Sequence, residues 1–334
     1  MRSILKIILQ AWAIAHIAGS AAAFVPPFEE SSDNHGLRPV NFVAPNEEFP
    51  DDAKALLRRA PEGIYLSVGT ERAFMGFAMA DRASHLMIVD ADPKVIRFAN
   101  INIALLAMSE SLDEYRALRF AESHKIWSKK IKDLNLPKEA FSNMDAEGFE
   151  FWSENINREA FNSFHSTEDD ANGPFAESNY LFKCGCFQKI HQAAQSGRIV
   201  ARLVNFRDVK TVVSMVEAIK TTEIPLSTFD MSNAWWTEYM DPSRHLAPTL
   251  HKLTEISQPH SLMLATNAPL VPGILPKTRK RNRWYYIGFT MEYLKTKTGL
   301  QSDQLKNIFH GAKKGTLNLA DPDQVVPNCA GLLR

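Results

Sequence analysis

Residues 63–108 read GIYLSVGTERAFMGFAMADRASHLMIVDADPKVIRFANINIALLAM. Ile64-Tyr65-Leu66-Ser67-Val68-Gly69 is a short apolar run that stops at a glycine, which predicts a buried strand followed by a tight turn. Ala73–Arg82 then reads as a helix, and His85-Leu86-Met87-Ile88-Val89-Asp90 as a second buried strand. Asp92-Pro93 opens another helix, with Asp as the N-cap and Pro in the first turn. Val95, Phe98, Ile101, Leu105 and Met108 follow at helical spacing. Strand, helix, strand, helix is the repeating unit of a parallel sheet with helices on its faces.

Further along, residues 109–196 break this alternation. Asp113–Lys132 predicts a helix, Pro137–Asn162 helix in pieces, Ser166–Gly173 a loop, and Tyr180–Gln195 another helix. No long apolar strand lies among them, so they are expected to be a helical insertion rather than a separate domain. The alternation resumes with a strand at Ile199–Val204, a helix capped by Asp208, and strands at Leu226–Met231, His260–Thr266 and Trp284–Phe289. The expected fold is α/β, a mostly parallel Rossmann-like sheet with a helical insertion, spanning residues 63–334.

Upstream, Phe24 to Pro61 holds six prolines and the acidic pairs Glu29-Glu30, Glu47-Glu48 and Asp51-Asp52. It predicts an extended arm over 24–62 with a short helix near Asp51–Arg59. Residues 1–23, MRSILKIILQAWAIAHIAGSAAA, have a basic start, an apolar middle and small residues at the end. That is the pattern of a signal peptide cleaved after Ala23, giving a periplasmic or secreted protein; the competing reading is an N-terminal membrane anchor. The apolar run falls short of the roughly 20 residues that span a bilayer, and no other such run exists, so the mature chain is expected to have no membrane span.

Composition bounds the rest. At 45% hydrophobic and 23% charged, the 334 residues exclude wholesale disorder and a coiled-coil rod. Three cysteines are too few for a disulfide scaffold, so burial must hold the core. With 38 basic and 38 acidic residues there is no reason to expect sequence-independent nucleic-acid binding by the whole chain.

Ligands of open parallel sheets bind at the carboxyl ends of the strands. Four segments project there: Ser67–Arg72, Asp90–Asp92, Asn205–Asp208 and Ser232–Trp236. The set resembles the core of class I S-adenosylmethionine (SAM)-dependent methyltransferases, over roughly 63–108 and 197–295. It is also similar to bacterial proteins whose cores are methyltransferase-like. The resemblance implies SAM as cofactor: Gly69 on the methionine side, Asp90 on the ribose hydroxyls, Asn205 at the adenine and Asn233 towards the substrate. It places Trp235 and Trp236 near the methyl group, although core packing under the insertion would suit them equally. Of the family's three glycines after the first strand only Gly69 is present. Glu71 and Ala73 stand in place of the others, and Ser67 stands where an acid is usual. Glu71 is expected to place its charge beside the cofactor carboxylate unless Arg72 turns inward.

Two functions are therefore open: an exported scaffold or binding protein that keeps the methyltransferase-like fold, or an active SAM-dependent methyltransferase of unknown substrate. A delivered effector that meets SAM in a host cytoplasm would reconcile the second with export. Other motifs add little. Cys184-Gly185-Cys186 has one residue too few for a CxxC pair, though either thiol could pair with Cys329. His245, His251 and His260 lack metal-ligand spacing, so no metal is expected. Residues 277–283, KTRKRNR, could grip phosphate or an anionic surface, or form a solvated loop before an edge strand.

Overall fold

The structure, a computed structural model, describes residues 24–31, 43, 53–134, 143–157, 162–165, 178–236, 239–267, 285–311 and 317–318. The Gly63–Met108 stretch forms β1 (Gly63–Val68), α2 (Glu71–Met79), β2 (Ala83–Asp90) and α3 (Pro93–Met108), preceded by a short α1 (Lys54–Leu57). Asp92 caps α3 by accepting from the Lys94 N–H at 2.8 Å. After the insertion come β3 (Ile199–Leu203), α9 (Val209–Lys220) and β4 (Leu226–Asp230). Asp208 caps α9 through the N–H groups of Lys210 and Thr211.

Among the described residues seven strands make one sheet in the order β3-β2-β1-β4-β5-β6-β7, with β5 at Ser257–Asn267, β6 at Tyr285–Thr290 and β7 at Leu317–Asn318. Strands β1 to β5 run parallel to one another; β6 runs antiparallel to β5, and β7 parallel to β6. The α/β class and the mostly parallel sheet follow the sequence expectation. The central strands are largely buried along their length because both faces of the sheet are covered. Tyr65, Leu86, Ile88 and Leu264 enter one apolar cluster with α2, α3 and the insertion. Ile64, Leu66, Met87, Phe229 and Met263 enter a second cluster on the other face. That second layer is α9 with α10 (Ala247–Leu253), α11 (Met291–Thr298) and α12 (Ser302–Gly311). The last three helices were not foreseen from the sequence.

The insertion departs from expectation in detail. Asp113–Lys132 is two helices, α4 (Leu112–Arg119) and α5 (His124–Asp133), broken at Phe120–Ser123, where Ser123 begins a new helix in extended conformation. Then follow α6 (Ala146–Ile156), α7 (Asn162–His165) and α8 (Cys184–Gln195). Tyr180 lies in a turn ahead of α8 rather than in the helix. Trp127 donates to the Leu118 carbonyl at 2.8 Å and Trp152 to that of Arg119 at 2.9 Å, so the indoles are satisfied while buried. Trp152 stacks on Phe98 of α3 with ring centroids 4.4 Å apart, which carries the insertion's apolar packing into the sheet's own helix layer.

Two pieces of the N-terminal arm are fixed to the sheet. Residues 24–31 follow the outer strand β3: Ser31 N–H donates to the Leu203 carbonyl at 3.1 Å, and Glu30 accepts from Leu203 N–H at 3.2 Å. Val43 is buried, and its carbonyl accepts from Thr70 Oγ1 at 2.7 Å. The KTRKRNR run, the 166–173 loop and Cys329 lie outside the described residues, and among those described no helix is long and apolar enough to cross a membrane.

Candidate functional site

The chain builds β1, β2 and β3 outwards, then crosses back to lay β4 on the other side of β1. Strand order therefore reverses between β1 and β4. The carboxyl ends of those strands flank the crevice where open α/β sheets take ligands. The turn after β1 needs Gly69, whose φ of 83° an L side chain rarely adopts.

The four residues singled out from the sequence sit on neighbouring strand ends. The Gly69 N–H donates to the Val89 carbonyl at 3.3 Å and lies near the Asp90 carboxyl, which accepts from the Asp92 N–H at 2.9 Å. Burial raises this carboxyl to about 7; the Asp92 N–H works against the rise and the Asp92 charge adds to it. Asn205 is close by, because the Val204 N–H donates to the Asp90 carbonyl at 2.9 Å. Its own N–H donates to Ser31 Oγ at 2.8 Å, and its side-chain oxygen accepts from Arg207 N–H at 3.0 Å. The Ser31 hydroxyl passes the relay on to Thr211, which donates to Asp208 at 2.6 Å. Asn233 lies beyond β4, half-buried, behind a turn in which Ser232 takes φ 54°. The sheet thus brings Gly69, Asp90 and Asn205 together and leaves Asn233 across β1.

What lies between them is a buried ion pair that was not foreseen. Arg72, in the first turn of α2, donates to Asp230, the last residue of β4, at 2.7 Å; their exposures are 5% and 1%. Asp230 also accepts from the Tyr65 hydroxyl at 2.8 Å, and Arg72 reaches the Tyr286 hydroxyl at 3.3 Å. Burial, with the Asp230 charge next, holds the Tyr65 phenol well above its usual range. One signal could have found the pair: a charged residue closing a buried strand, as Asp230 does, requires a partner.

Glu71 corrects the sequence expectation. It does not face a cofactor carboxylate: its side chain pairs with Arg119 of α4 at 2.8 Å and accepts from the Tyr180 hydroxyl, with Glu71 and Arg119 both fully buried at the side chain. Tyr115 donates to Asn102 at 2.6 Å, and Arg119 to Tyr115 at 3.0 Å. The insertion is thereby tied to the turn after β1 through hydrogen bonds and charge. Burial works against the Arg119 charge, yet Glu71 and the tyrosines around it raise the guanidinium above its ordinary range. Trp235 is likewise placed differently from expectation. It packs against Phe309 and His310 of α12, on the sheet face away from the insertion.

Set against SAM, these residues fit on one side only. Asp90, beside the Gly69 turn, could accept ribose hydroxyls. On the methionine side the polar groups are engaged within the protein instead: Thr70 with Val43, Glu71 with the insertion, and Arg72 with Asp230. The Asn205 N–H is engaged by the arm. Among the described residues no cluster of His, Cys, Asp and Glu could hold a metal ion.

No curated protein matches the chain by sequence. Two solved structures of the rRNA methyltransferase AviRa from Streptomyces viridochromogenes align with it at 10% and 11% identity and TM-scores of 0.34 and 0.36. Each alignment covers 83% of this chain and 92% of that one; at such TM-scores they add nothing to the fold read from the sheet itself. The model of a family described as a domain of unknown function (DUF7790) matches residues 42–314, from the buried part of the arm through α12, and the chain belongs to that family.

Proposed function

We propose that the protein is a methyltransferase-like scaffold that acts by binding rather than by methyl transfer. The observation that carries this reading is the Arg72–Asp230 pair, buried where the strand order reverses. A ligand entering between β1 and β4 would have to displace a matched pair of charges, and separating such a pair in a buried site leaves each one uncompensated. The engagement of Glu71 by Arg119 and of Thr70 by Val43 supports the same conclusion. The test is calorimetric titration of residues 24–334 with SAM, its demethylated product and adenosine. The expected result is no binding. Micromolar SAM affinity, weakened about 10- to 100-fold by Asp90→Ala, would overturn it, since charge-assisted hydrogen bonds contribute roughly 1.5–3 kcal/mol.

That outcome would restore the second reading, an active SAM-dependent methyltransferase. What favours it is Asp90 itself, placed beside Gly69 at the carboxyl end of β2. The reading also includes export. The basic start, apolar middle and small-residue end of residues 1–23 support a periplasmic or secreted protein, where SAM is scarce. N-terminal sequencing of the exported fraction should begin at Phe24; intact Met1 in the soluble cytoplasmic fraction would contradict it.

A further inference from the structure

Two helices of the insertion carry opposite charge on their outer faces. In α5, Lys125, Lys129 and Lys132 are exposed, and at 100° per residue they lie within about a 60° wedge opposite the buried Trp127. In α6, Glu147, Glu150 and Glu154 are exposed in a wedge of about the same width opposite the buried Trp152. The indoles of Trp127 and Trp152 meet at 6.3 Å, so the two helices share a core and both stripes face outwards. Among the described residues, Glu147 pairs with Arg97 at 2.9 Å, while Lys125, Lys129, Lys132, Glu150 and Glu154 make no ion pair.

The spacings are complementary. The lysines are separated by four and then three residues, and the glutamates by three and then four. Laid antiparallel, the two stripes match position for position over about 10 Å of helix. Apolar surface is also exposed to one side of the lysine stripe. Ile126, on α5, and Phe120, on the turn leading into it, are each 41% exposed; only one other large apolar side chain among the described residues is comparably open.

We propose that the protein self-associates, the lysine face of α5 in one copy docking on the glutamate face of α6 in another. A second copy is the occupant because the chain itself supplies the matching charge at the matching spacing. Exposed ion pairs are individually weak, so the association is weak and salt-sensitive.

Sedimentation equilibrium of the purified protein measures the weight-average mass against concentration. The expected result is concentration-dependent association in low salt that is lost near roughly 1 M salt, where screening acts within about 3 Å. Lys129→Glu alone and Glu150→Lys alone should each weaken association by about fivefold or more, through repulsion at the reversed position. The double variant carries both reversals, restores the pairing with exchanged signs, and should regain most of the wild-type constant. A wild-type protein that stays monomeric at high concentration in low salt overturns the proposal. So does a double variant no better than the two single ones, or association that tracks an anionic additive instead of protein concentration. Circular dichroism of each variant confirms that the helices remain folded, so a folded variant always gives a decisive answer.

Discussion

Arg72 and Asp230 are 158 residues apart in the chain, yet they close on each other at 2.7 Å between the first turn of α2 and the end of β4. Removing one partner leaves the other charged and buried. Arg72→Met should therefore lower the unfolding free energy by about 3–5 kcal/mol, whereas Arg72→Met with Asp230→Leu should cost much less. Urea unfolding of the three proteins checks this; a single variant as stable as wild type would show that the pair holds nothing.

The Glu71–Arg119 pair predicts strong coupling between the sheet and the insertion. A double-mutant cycle with Glu71→Gln and Arg119→Met should give an interaction energy of about 2 kcal/mol. Tyr180→Phe, which removes the hydroxyl that donates to Glu71 and accepts from Asn102, should cost about 1–3 kcal/mol. Additive single effects in the cycle would mean that the insertion is held by its apolar contacts alone.

Gly76 predicts an inverted helix-propensity effect. Alanine normally stabilises a helix by about 1 kcal/mol over glycine. Here the added methyl would lie 2.0 Å from the Tyr65 hydroxyl that bonds Asp230. Gly76→Ala should destabilise by roughly 1–3 kcal/mol, the usual cost of overpacking. A higher urea midpoint for the alanine variant would refute the contact.

The raised Asp90 carboxyl gives a pH dependence of known sign. Between its ordinary value near 3.8 and about 7 the folded state binds a proton that the unfolded state has released. Stability contributed by Asp90 is therefore greatest below this window and falls as pH rises through it. His85 and His165 act in the opposite sense. Burial lowers them to about 4 and about 3, so their contribution falls as pH drops below 6.5. The difference between wild type and Asp90→Asn isolates the carboxyl: the asparagine variant should gain relative stability between pH 4 and 7. A flat difference across that range would show that Asp90 titrates normally.

The sheet was legible because its strands are buried on both faces and each ends on a residue with a local job. Gly69 makes the turn, and Asp92 and Asp208 cap the helices that follow. Those are short-range signals, readable within a few residues. The site was legible only as positions on strand ends. What fills it depends on Glu71 meeting Tyr180 across 109 residues and on Asn205 meeting Ser31 across 174. No local pattern encodes such pairings. Helix α11 was missed for a different reason: its eight residues, MEYLKTKT, offer too few apolar positions to show a helical period, and its stop is the left-handed Gly299.

The arm along β3 bears on how the chain avoids sticking to itself. Strand β3 is the outermost of the sheet, and a bare outer strand is a template for pairing with another molecule. The bonds from Leu203 to Ser31 and Glu30, with the Arg202–Glu30 ion pair at 3.6 Å, occupy part of that edge. Trimming the chain to begin at β1 would uncover it. A shortened protein that keeps every helix and strand should then aggregate where the longer one stays in solution, so the choice of starting residue decides the solubility of any preparation.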